Sequence, residues 1–578
     1  LKKIRTEKNQ INLLGVTLEQ KTHTGLQNPK KMHKMVNWYY PGQLIRTAID
    51  VTISTIFGRH ADHRMIEALG CPDIKIYDYS QRKDKEFWID YLGDTGDGWN
   101  STYAIASTIG KPILNVTDPQ GNFHSTERGN ILVLGGDEVY PVASREGYEE
   151  RLVAPFKAAM STTEQPHPSV FAIPGNHDWY DSLVSFNRLF NSKNWFAGWK
   201  APQERSYFAL KLPHNWWLLG TDMQLGSDID AAQVDYFKKV AENFLPEDKV
   251  ILCLAEPHWI YETLYKEYDS SYDESNLCFL EQKLGKKISV FLAGDLHHYR
   301  RHANAEGVQK ITSGGGGAFL HPTHGPAVDQ LENNFHLKAS FPDPSISRKL
   351  CWRNLLFLFN NFSFGLLTAF LYLLTCWTVL APIANLNFTH FKDVVHNTIQ
   401  AVLLSPLGFF WILICLGGFI FFTDTRSPLY RFFGGLLHAF THLAAIFFLG
   451  WGVTYLCVTH LGFAFTSIPQ LITSAFLIFC GGWLIGPIIM GIYLLISLNV
   501  FGRHSNEAFS ALHCPDWKNF LRLKIDIAGK LTIFPIGIRR VPRKWKKTID
   551  PQSPCFLHSD DPRASEPELI ESPLHIQP

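Results

Sequence analysis

The sequence predicts an α/β domain followed by an all-α membrane bundle. Over residues 47–345, short apolar runs that end in glycine and a polar residue alternate with helix-like segments, which indicates buried strands and helices. Residues 354–502 are almost free of charge. Their only charged residues are Lys392, Asp393, Asp424, Arg426 and Arg431. A chain of 578 residues is too long for one ordinary domain and has room for both parts.

The segments outside these two parts have different compositions. Residues 1–46 are polar and basic, and we expect a flexible N-terminal segment. Residues 501–548 return to mixed polarity, which predicts a cytosolic segment after the membrane part. Residues 549–578 are rich in proline, and we expect a disordered tail. Lys and Arg number 54 and Asp and Glu 53, so the charge balance gives no indication of a nucleic-acid partner.

Residues 346–500 contain apolar stretches near or above the ~20 residues that cross a bilayer. We predict about four transmembrane helices, at roughly 356–384, 400–422, 433–457 and 470–498. Basic residues cluster before the first helix, between the second and third, and after the fourth. By the positive-inside rule this predicts a multi-pass protein whose termini and α/β domain are cytosolic.

Candidate metal-ligand residues follow five of the predicted strands. The motifs are GDTGDG (93–98), GGDEVY (135–140), GNHDWYD (175–181), AEPHWIY (255–261) and GDLHHYRR (294–301). Carboxylates, asparagine and histidine at several strand ends converge on one sheet edge. That arrangement is typical of sites that hold two metal ions and cleave phosphate esters.

The order GGDxxY, GNHD and GxxHxY resembles the calcineurin-like metallophosphoesterase superfamily. Asp94-Thr95-Gly96, with glycine in the third place and Tyr140 three residues after Asp137, is similar to the motif variant of purple acid phosphatases. The resemblance covers residues 87–320 at most. It implies a four-layer α/β/β/α sandwich of two mixed sheets between helices, and a phosphoric ester hydrolase that uses two divalent metal ions.

Carried over residue by residue, the resemblance implies two sets of metal ligands. The first metal would be held by Asp94, Asp137, His297 and Tyr140. The second would be held by Asp137, Asn176, Glu256 and Asp295, with Asp137 bridging. The family usually has histidine where Glu256 and Asp295 stand. His258 is an alternative to Glu256, and a packing role is an alternative for Tyr140.

The two replacements by carboxylates leave the second metal with oxygen ligands only. Oxygen ligands suit Mn²⁺, Mg²⁺ or Ca²⁺ better than Zn²⁺. We therefore expect two divalent ions chosen from Mn, Fe, Mg and Zn, with Mn favoured at the all-oxygen position. By the same resemblance, a metal-bridging hydroxide attacks phosphorus. His177 donates a proton or stabilises developing charge, and Asp178 orients His177.

Further residues near the motifs are predicted to bind substrate. The glycine-rich segment ITSGGGGAFLHPTHG (311–325) either approaches a phosphate through Gly315 and Gly316, with His321 facing the cleft, or forms a tight turn between two strands. His258 and His298 adjoin predicted ligands and are assigned to substrate binding.

Together these features predict a membrane-anchored, metal-dependent phosphoesterase. It would act on a phosphomonoester or phosphodiester, and anchoring favours a lipid-linked phosphorylated substrate at the bilayer. Two alternatives are a degenerate phosphoesterase fold that serves as a membrane receptor or scaffold, and a regulatory domain of a transporter.

Overall fold

The molecule is described by a computed structural model. The described residues are 31–57, 74–83, 85–160, 167–223, 228–265, 275–325, 328–380, 390–423, 427–548 and 555–577.

The first of two large sheets is mixed and has nine strands. In spatial order it comprises β1 (Ile76–Asp78), β9 (Phe208–Lys211), β10 (Trp216–Gly220), β11 (Lys249–Leu254), β12 (Ile288–Ala293), β14 (Gln309–Ser313), β13 (Tyr299–Ala303), β16 (Phe335–Phe341) and β15 (Gln330–Leu331). Strands β10, β11, β12 and β14 run parallel, so their carboxyl ends share one edge.

The second sheet also has nine strands. Its order is β21 (Glu568–Leu569), β18 (Leu531–Ile538), β17 (Lys518–Ile525), β2 (Phe87–Leu92), β5 (Ile131–Gly135), β6 (Ser169–Ile173), β8 (Trp199–Lys200) and β7 (Trp195–Phe196), and β22 (Leu574–Ile576) also pairs with β18. Strands β2, β5 and β6 are parallel. Two separate hairpins join β3 (Ile113–Thr117) to β4 (Phe123–Glu127) and β19 (Trp545–Lys547) to β20 (Leu557–Ser559).

Helices cover the outer faces of both sheets. They are α2 (Trp99–Ile109), α3 (Arg145–Gly147), α4 (Ala154–Ala159), α5 (Asn176–Trp179), α6 (Val184–Phe190), α7 (Ala231–Ala241), α8 (His258–Tyr265) and α9 (Asn276–Leu284), with a π-helical turn at Tyr148–Val153 and a 3₁₀ turn at Gly285–Lys287. The first helix, α1 (Pro41–Phe57), instead contacts the helix Phe364–Leu380 of the apolar region. One apolar core lies between the sheets, and others lie between each sheet and its helices. This layering confirms the predicted α/β/β/α sandwich.

The chain after the membrane part is a structural part of the sandwich. Strand β17 lies between β18 and β2, with Leu521 opposite Tyr91. The prediction of a separate cytosolic segment at 501–548 is therefore corrected. The disordered tail was also a wrong prediction for residues 555–577, because β21 and β22 pair with β18. Tertiary pairing there overrides a proline-rich composition.

The N-terminal segment was expected to be flexible up to residue 46, but its described part packs against the domain. The side chains of Val36 and Tyr39 are buried, and the Val36 amide donates to Asp97 Oδ1 over 2.7 Å. Residues 1–30 lie outside the described residues.

The apolar region forms a bundle of long helices. It comprises α10 (Pro344–Cys351), a 3₁₀ turn (Trp352–Leu356), α11 (Phe357–Asn360), α12 (Phe364–Leu380), α13 (Phe391–Leu404), α14 (Pro406–Phe422), α15 (Pro428–Tyr455), a π-helical turn (Leu456–His460), α16 (Ile468–Phe501) and the short α17 (Ser505–Ser510). Ser467 caps α16, and Gly502 ends it in the left-handed conformation that favours glycine. Gly486 allows Thr368 of α12 to approach closely, because an added Cβ would lie 2.4 Å from the Thr368 Cβ.

Among the described residues, two helices are long and apolar enough to cross a membrane, at 428–460 and 468–501. Two bent helix pairs bring the number to four if each pair is one span. The first pair bends by 67° between 344–360 and 364–379, and the second by 96° between 391–404 and 406–422.

Candidate metal centre

The predicted motifs meet because the strands that carry them are parallel. The loops after β2, β5 and β6 leave one edge of the second sheet, and those after β11 and β12 leave one edge of the first sheet. The two edges lie on the same side of the core that joins the sheets, since a Cβ added to Gly294 would lie 2.8 Å from Asp94 Oδ2 and 3.2 Å from the Gly135 carbonyl oxygen.

Three of the predicted carboxylate ligands have an unusual backbone. Asp94, Asp137 and Asp295 have φ values of 58°, 54° and 65°. Non-glycine residues in this left-handed region cost about 1–2 kcal/mol each and persist where the surrounding structure demands them. Each of the three aspartates directly follows a glycine at the end of a strand. The repeated strain indicates that function requires these carboxylates to point into the site.

The side chains of Asp94, Asp137 and His297 surround the Tyr140 hydroxyl. That oxygen lies 2.9 Å from Asp94 Oδ1, 3.0 Å from Asp137 Oδ2 and 2.9 Å from His297 Nε2. His297 Nδ1 donates to the Phe319 carbonyl over 2.7 Å, so the neutral imidazole presents an unprotonated Nε2. One hydroxyl proton therefore faces three acceptors.

The charges at this cluster indicate a need for positive charge. Burial raises the pKa of Asp94 well above its usual value, and Asp137 and Asp295 raise it further. Burial also raises the pKa of Asp137, again with repulsion from neighbouring carboxylates. Asp94 Oδ2 is buried without a hydrogen-bond partner, and neither carboxylate pairs with lysine or arginine within the described part of the chain. A divalent cation would relieve this repulsion.

Glycines make room for these carboxylates. An added Cβ would lie 2.1 Å from Asp137 Oδ1 at Gly175, and 2.8 Å and 2.3 Å from Asp94 Oδ2 at Gly294 and Gly314. The donor types and the space thus fit a metal site. Across the described residues, no three His, Cys, Asp or Glu side chains already stand at metal-binding geometry, and Tyr140 occupies the centre of the cluster.

The predicted ligands of the second metal lie beside Asp137. One end of the Asn176 side-chain amide is 3.0 Å from Asp137 Oδ2, and its other end is 3.1 Å from the Tyr180 hydroxyl. With nitrogen towards Asp137 the amide donates a hydrogen bond, whereas oxygen there requires a cation between the two groups. Asp295 accepts a hydrogen bond from Tyr261, whose pKa is raised by burial and by the charges of Asp295 and Glu256. Ala255, the residue before Glu256, lies beside Gly294, where an added Cβ would be 3.4 Å from the Ala255 carbonyl oxygen.

His177 is held with one nitrogen available. Its Nδ1 lies 2.7 Å from the Pro141 carbonyl, and its backbone amide donates to Asp137 Oδ1 over 2.9 Å. Burial lowers its pKa to about 4, so the imidazole is neutral at pH 7. Its ring lies 4.4 Å from that of Tyr140, measured between centroids.

The hydrogen bond that holds the His177 ring, which was predicted for Asp178, comes from another residue. Pro141, and not Asp178, fixes the His177 ring. The Asp178 carboxylate accepts hydrogen bonds from the Tyr148 hydroxyl and from the amides of Gly175 and Glu138. It is fully buried and stabilises the turn after β6.

Two of the histidines predicted to bind substrate are buried. His258 Nε2 is 2.8 Å from Glu281 Oε1, because His258 begins α8 and turns its side chain towards α9. This favours Glu256 over His258 as the ligand candidate. His298 is 1% exposed, and neither of its ring nitrogens is hydrogen-bonded to another described residue. Burial and the charge of Arg300 lower its pKa well below the usual value.

The glycine-rich segment packs closely against the loop after β2 and against β17. The Gly316 amide donates to the Gly93 carbonyl over 2.9 Å, and a Cβ at Gly315 would lie 2.0 Å from Asn519 Nδ2. Gly315 and Gly316 thus pack against other parts of the domain. His321, in contrast, stacks on His297 with ring centroids 3.8 Å apart. Burial lowers the pKa of His321 to about 3.

Several residues at the site were missed by the sequence analysis. The Trp38 ring lies 6.0 Å from those of His177 and Phe319, between centroids. Lys518 is fully buried and donates to the Ala318 carbonyl, and burial lowers its pKa to about 8. Asp97 binds the amides of Val36 and Phe319. Of these residues, only Asp97 could have been found from the sequence, because it lies within the GDTGDG motif.

Comparison with known proteins agrees with this fold. Residues 87–299 match the family model for calcineurin-like phosphoesterase, so the chain carries such a domain. A comparison with curated proteins gave no match.

Two solved structures are distant structural neighbours. The purple acid phosphatase PPD1 from yellow lupin (Lupinus luteus) seeds is 14% identical, with 41% of this chain and 45% of that chain covered and a TM-score of 0.29. PhoD is 11% identical, with 41% and 58% covered and a TM-score of 0.26. The match spans about half the length of these structures.

Proposed function

We propose that this protein is a membrane-anchored, metal-dependent phosphoesterase that hydrolyses a phosphomonoester or phosphodiester. The observation that carries the proposal is the buried cluster in which Asp94, Asp137 and His297 share a single Tyr140 proton. The cluster lies inside a calcineurin-like phosphoesterase domain, at the carboxyl ends of parallel strands.

Two metal positions are proposed. Asp94, Asp137 and His297 would hold one ion, with Tyr140 as a fourth ligand if it loses its proton. Asp137, Asn176, Glu256 and Asp295 would hold the other, and their oxygen donors favour Mn²⁺. When bound, such ions lower the pKa of a coordinated water and offset negative charge on phosphate oxygens.

The chain itself supplies proton transfer through His177. Pro141 orients the ring so that Nε2 is available towards the cluster. The imidazole is neutral in the free protein, and a phosphate dianion beside Nε2 favours its protonation. His177 then holds a proton that the leaving alkoxide needs. Trp38 and Tyr140 pack against the ring and help to hold it in this position.

Anchoring is proposed from the apolar helices. Strands β2 and β17 precede and follow those helices, yet they are neighbours in one sheet. The chain must return to the side from which it left, so the number of crossings is even. The distribution of basic residues favours the cytosolic side for the domain and both termini, with the bilayer and a phosphorylated substrate as partners.

Metal removal tests the proposed function. The full chain, purified in detergent, would be analysed for bound metals and assayed with p-nitrophenyl phosphate and bis-p-nitrophenyl phosphate, before and after treatment with a chelator. We expect turnover to disappear with the metals and to return best with Mn²⁺. Turnover that survives complete demetallation, or folded and metal-loaded protein with no turnover, would contradict the proposal and favour a binding scaffold.

Replacement of His177 tests the proton-transfer role. We expect His177→Ala to lower kcat by about 10²–10⁴-fold for an alkyl phosphate, the range typical of general acid catalysis. The loss should be smaller for p-nitrophenyl phosphate, because p-nitrophenolate leaves without a proton. Bound metal, measured by elemental analysis, should be unchanged. Equal losses for both leaving groups would show that His177 is not the acid.

A further inference from the structure

The glycine-rich segment beside the cluster is bound to the end of a membrane-compatible helix. His324 Nε2 lies 3.0 Å from Asn499 Oδ1 in the last turn of α16, and a Cβ at Gly325 would lie 3.0 Å from Leu498 Cδ1. The same segment carries His321, which stacks on His297. The candidate metal centre therefore lies directly beside the end of α16.

Residues just after α16 complete this junction. The Leu320 amide, next to His321, donates to the Cys514 carbonyl over 3.0 Å. The Glu507 carbonyl accepts a hydrogen bond from the Tyr39 hydroxyl over 3.0 Å. Since Trp38 packs on His177, the N-terminal segment closes the junction from the other side.

An apolar groove of about 320 Å³ begins at this junction and runs between α15 and α16. Its walls include Phe433 and Leu437 of α15, and Ile492, Ile496 and Phe501 of α16. From Ile489 to Phe501 it extends roughly 18 Å along the helix. These side chains are exposed in the isolated chain, which suits helices surrounded by hydrocarbon.

The end of the groove near the catalytic domain is polar. The Tyr430 hydroxyl lies 2.6 Å from Ser497 Oγ, and the Tyr493 hydroxyl lies 2.9 Å from His504 Nε2. His504 Nδ1 in turn lies 3.6 Å from Glu507 Oε2, and the carbonyl of Glu507 is the group that binds Tyr39. The groove therefore offers an apolar region for a hydrocarbon tail and, nearer the catalytic domain, a polar region for a head group.

We propose that the groove between α15 and α16 binds the hydrocarbon tail of the substrate, so that the substrate is a phosphate ester with a long alkyl chain. This inference rests on the proposed function. It explains why the centre lies beside α16: the phosphate reaches the cluster while the tail stays in the bilayer.

The test compares two chromogenic diesters with the same leaving group. p-Nitrophenyl hexadecyl phosphate and p-nitrophenyl ethyl phosphate differ only in the alkyl chain, and both would be assayed with the metal-loaded full chain in nanodiscs. Ile492→Trp and Leu437→Trp fill the groove from its two walls. Ile488→Trp is the matched control, because Ile488 lies on the same helix outside the groove and is 46% exposed, against 42% for Ile492.

We expect each groove variant to lower kcat/KM for the hexadecyl ester by about tenfold. This is roughly the effect of exposing two methylene groups of the hexadecyl chain that the groove would otherwise bury. The ethyl ester should be hydrolysed unchanged by all variants, and Ile488→Trp should leave both esters unaffected. The control removes simple partitioning of the hexadecyl ester into the bilayer as an explanation.

Two outcomes would overturn the inference while leaving the proposed function intact: equal turnover of both esters by the unmodified chain, or equal losses in the groove variants and in Ile488→Trp. A chain that cleaves only monoesters is tested in the same way with hexadecyl phosphate and ethyl phosphate, by measuring phosphate release. Failure of the metal-loaded chain to hydrolyse any of the four esters or p-nitrophenyl phosphate would instead overturn the proposed function.

Discussion

Asp137→Asn is expected to abolish both metal binding and hydrolysis. Asp137 contacts Tyr140, His177 and the Asn176 amide, and it is the only residue proposed to serve both metal positions. Asparagine keeps the size of the side chain but removes the charge and one acceptor oxygen. Bound metal should fall from about two ions per chain to less than one, and turnover of p-nitrophenyl phosphate should fall to background.

The stability of the metal-free variant separates a functional from a structural role. Burial and neighbouring carboxylates raise the pKa of Asp137, so its charge destabilises the metal-free fold near neutral pH. Metal-free Asp137→Asn should therefore unfold at the same temperature as metal-free wild type, or higher. Asp235→Asn, an exposed helix position, serves as the control. A variant that retains metal and turnover would refute the bridging assignment.

Arg522→Met is expected to lower the free energy of unfolding by about 3–5 kcal/mol. Arg522 and Asp90 are 0% and 1% exposed and form an ion pair of 2.7 Å between β17 and β2. Arg522 also donates to Thr126 and to the Ile109 carbonyl. Methionine fills similar space but leaves the Asp90 carboxylate buried without its counter-charge.

Denaturant unfolding of the full chain, followed by tryptophan fluorescence, measures this loss. The matched control is Lys524→Met on the same strand, whose pair with Glu86 is more exposed and should contribute about 0–1 kcal/mol. Asp90→Asn combined with Arg522→Met should recover part of the loss, because the uncompensated charge is then gone. Similar losses in Arg522→Met and Lys524→Met would contradict the structural role of β17.

The features of this protein that could be predicted are those with a local sequence pattern. Asp94, Asp137 and Asp295 follow apolar strands within a few residues of glycine, so their convergence followed from strand pattern alone. The orientation of two candidate side chains could not be predicted. His258 begins a helix and its side chain turns towards Glu281, whereas the side chain of Asp178 points into the turn that it stabilises. Sequence spacing carries no information about those directions.

Contacts between distant parts of the chain could not be predicted. Lys518 and Trp38 reach the site from segments that carry no metal-ligand motif. The segments β21 and β22 are too short to form stable strands by themselves. They are extended because each of them pairs with β18. The Pro141 carbonyl that holds His177 is a backbone group, for which a side-chain motif gives no signal.

The position of β17 between β18 and β2 also dictates an order of events during synthesis. When the ribosome has made the five metal-ligand motifs, the sheet that supports three of them still lacks β17 and its neighbours. The helices from α12 to α16 must be made before β17 exists. The second sheet, and with it the cleft that carries the cluster, can therefore be completed only after all of the apolar helices have been synthesised.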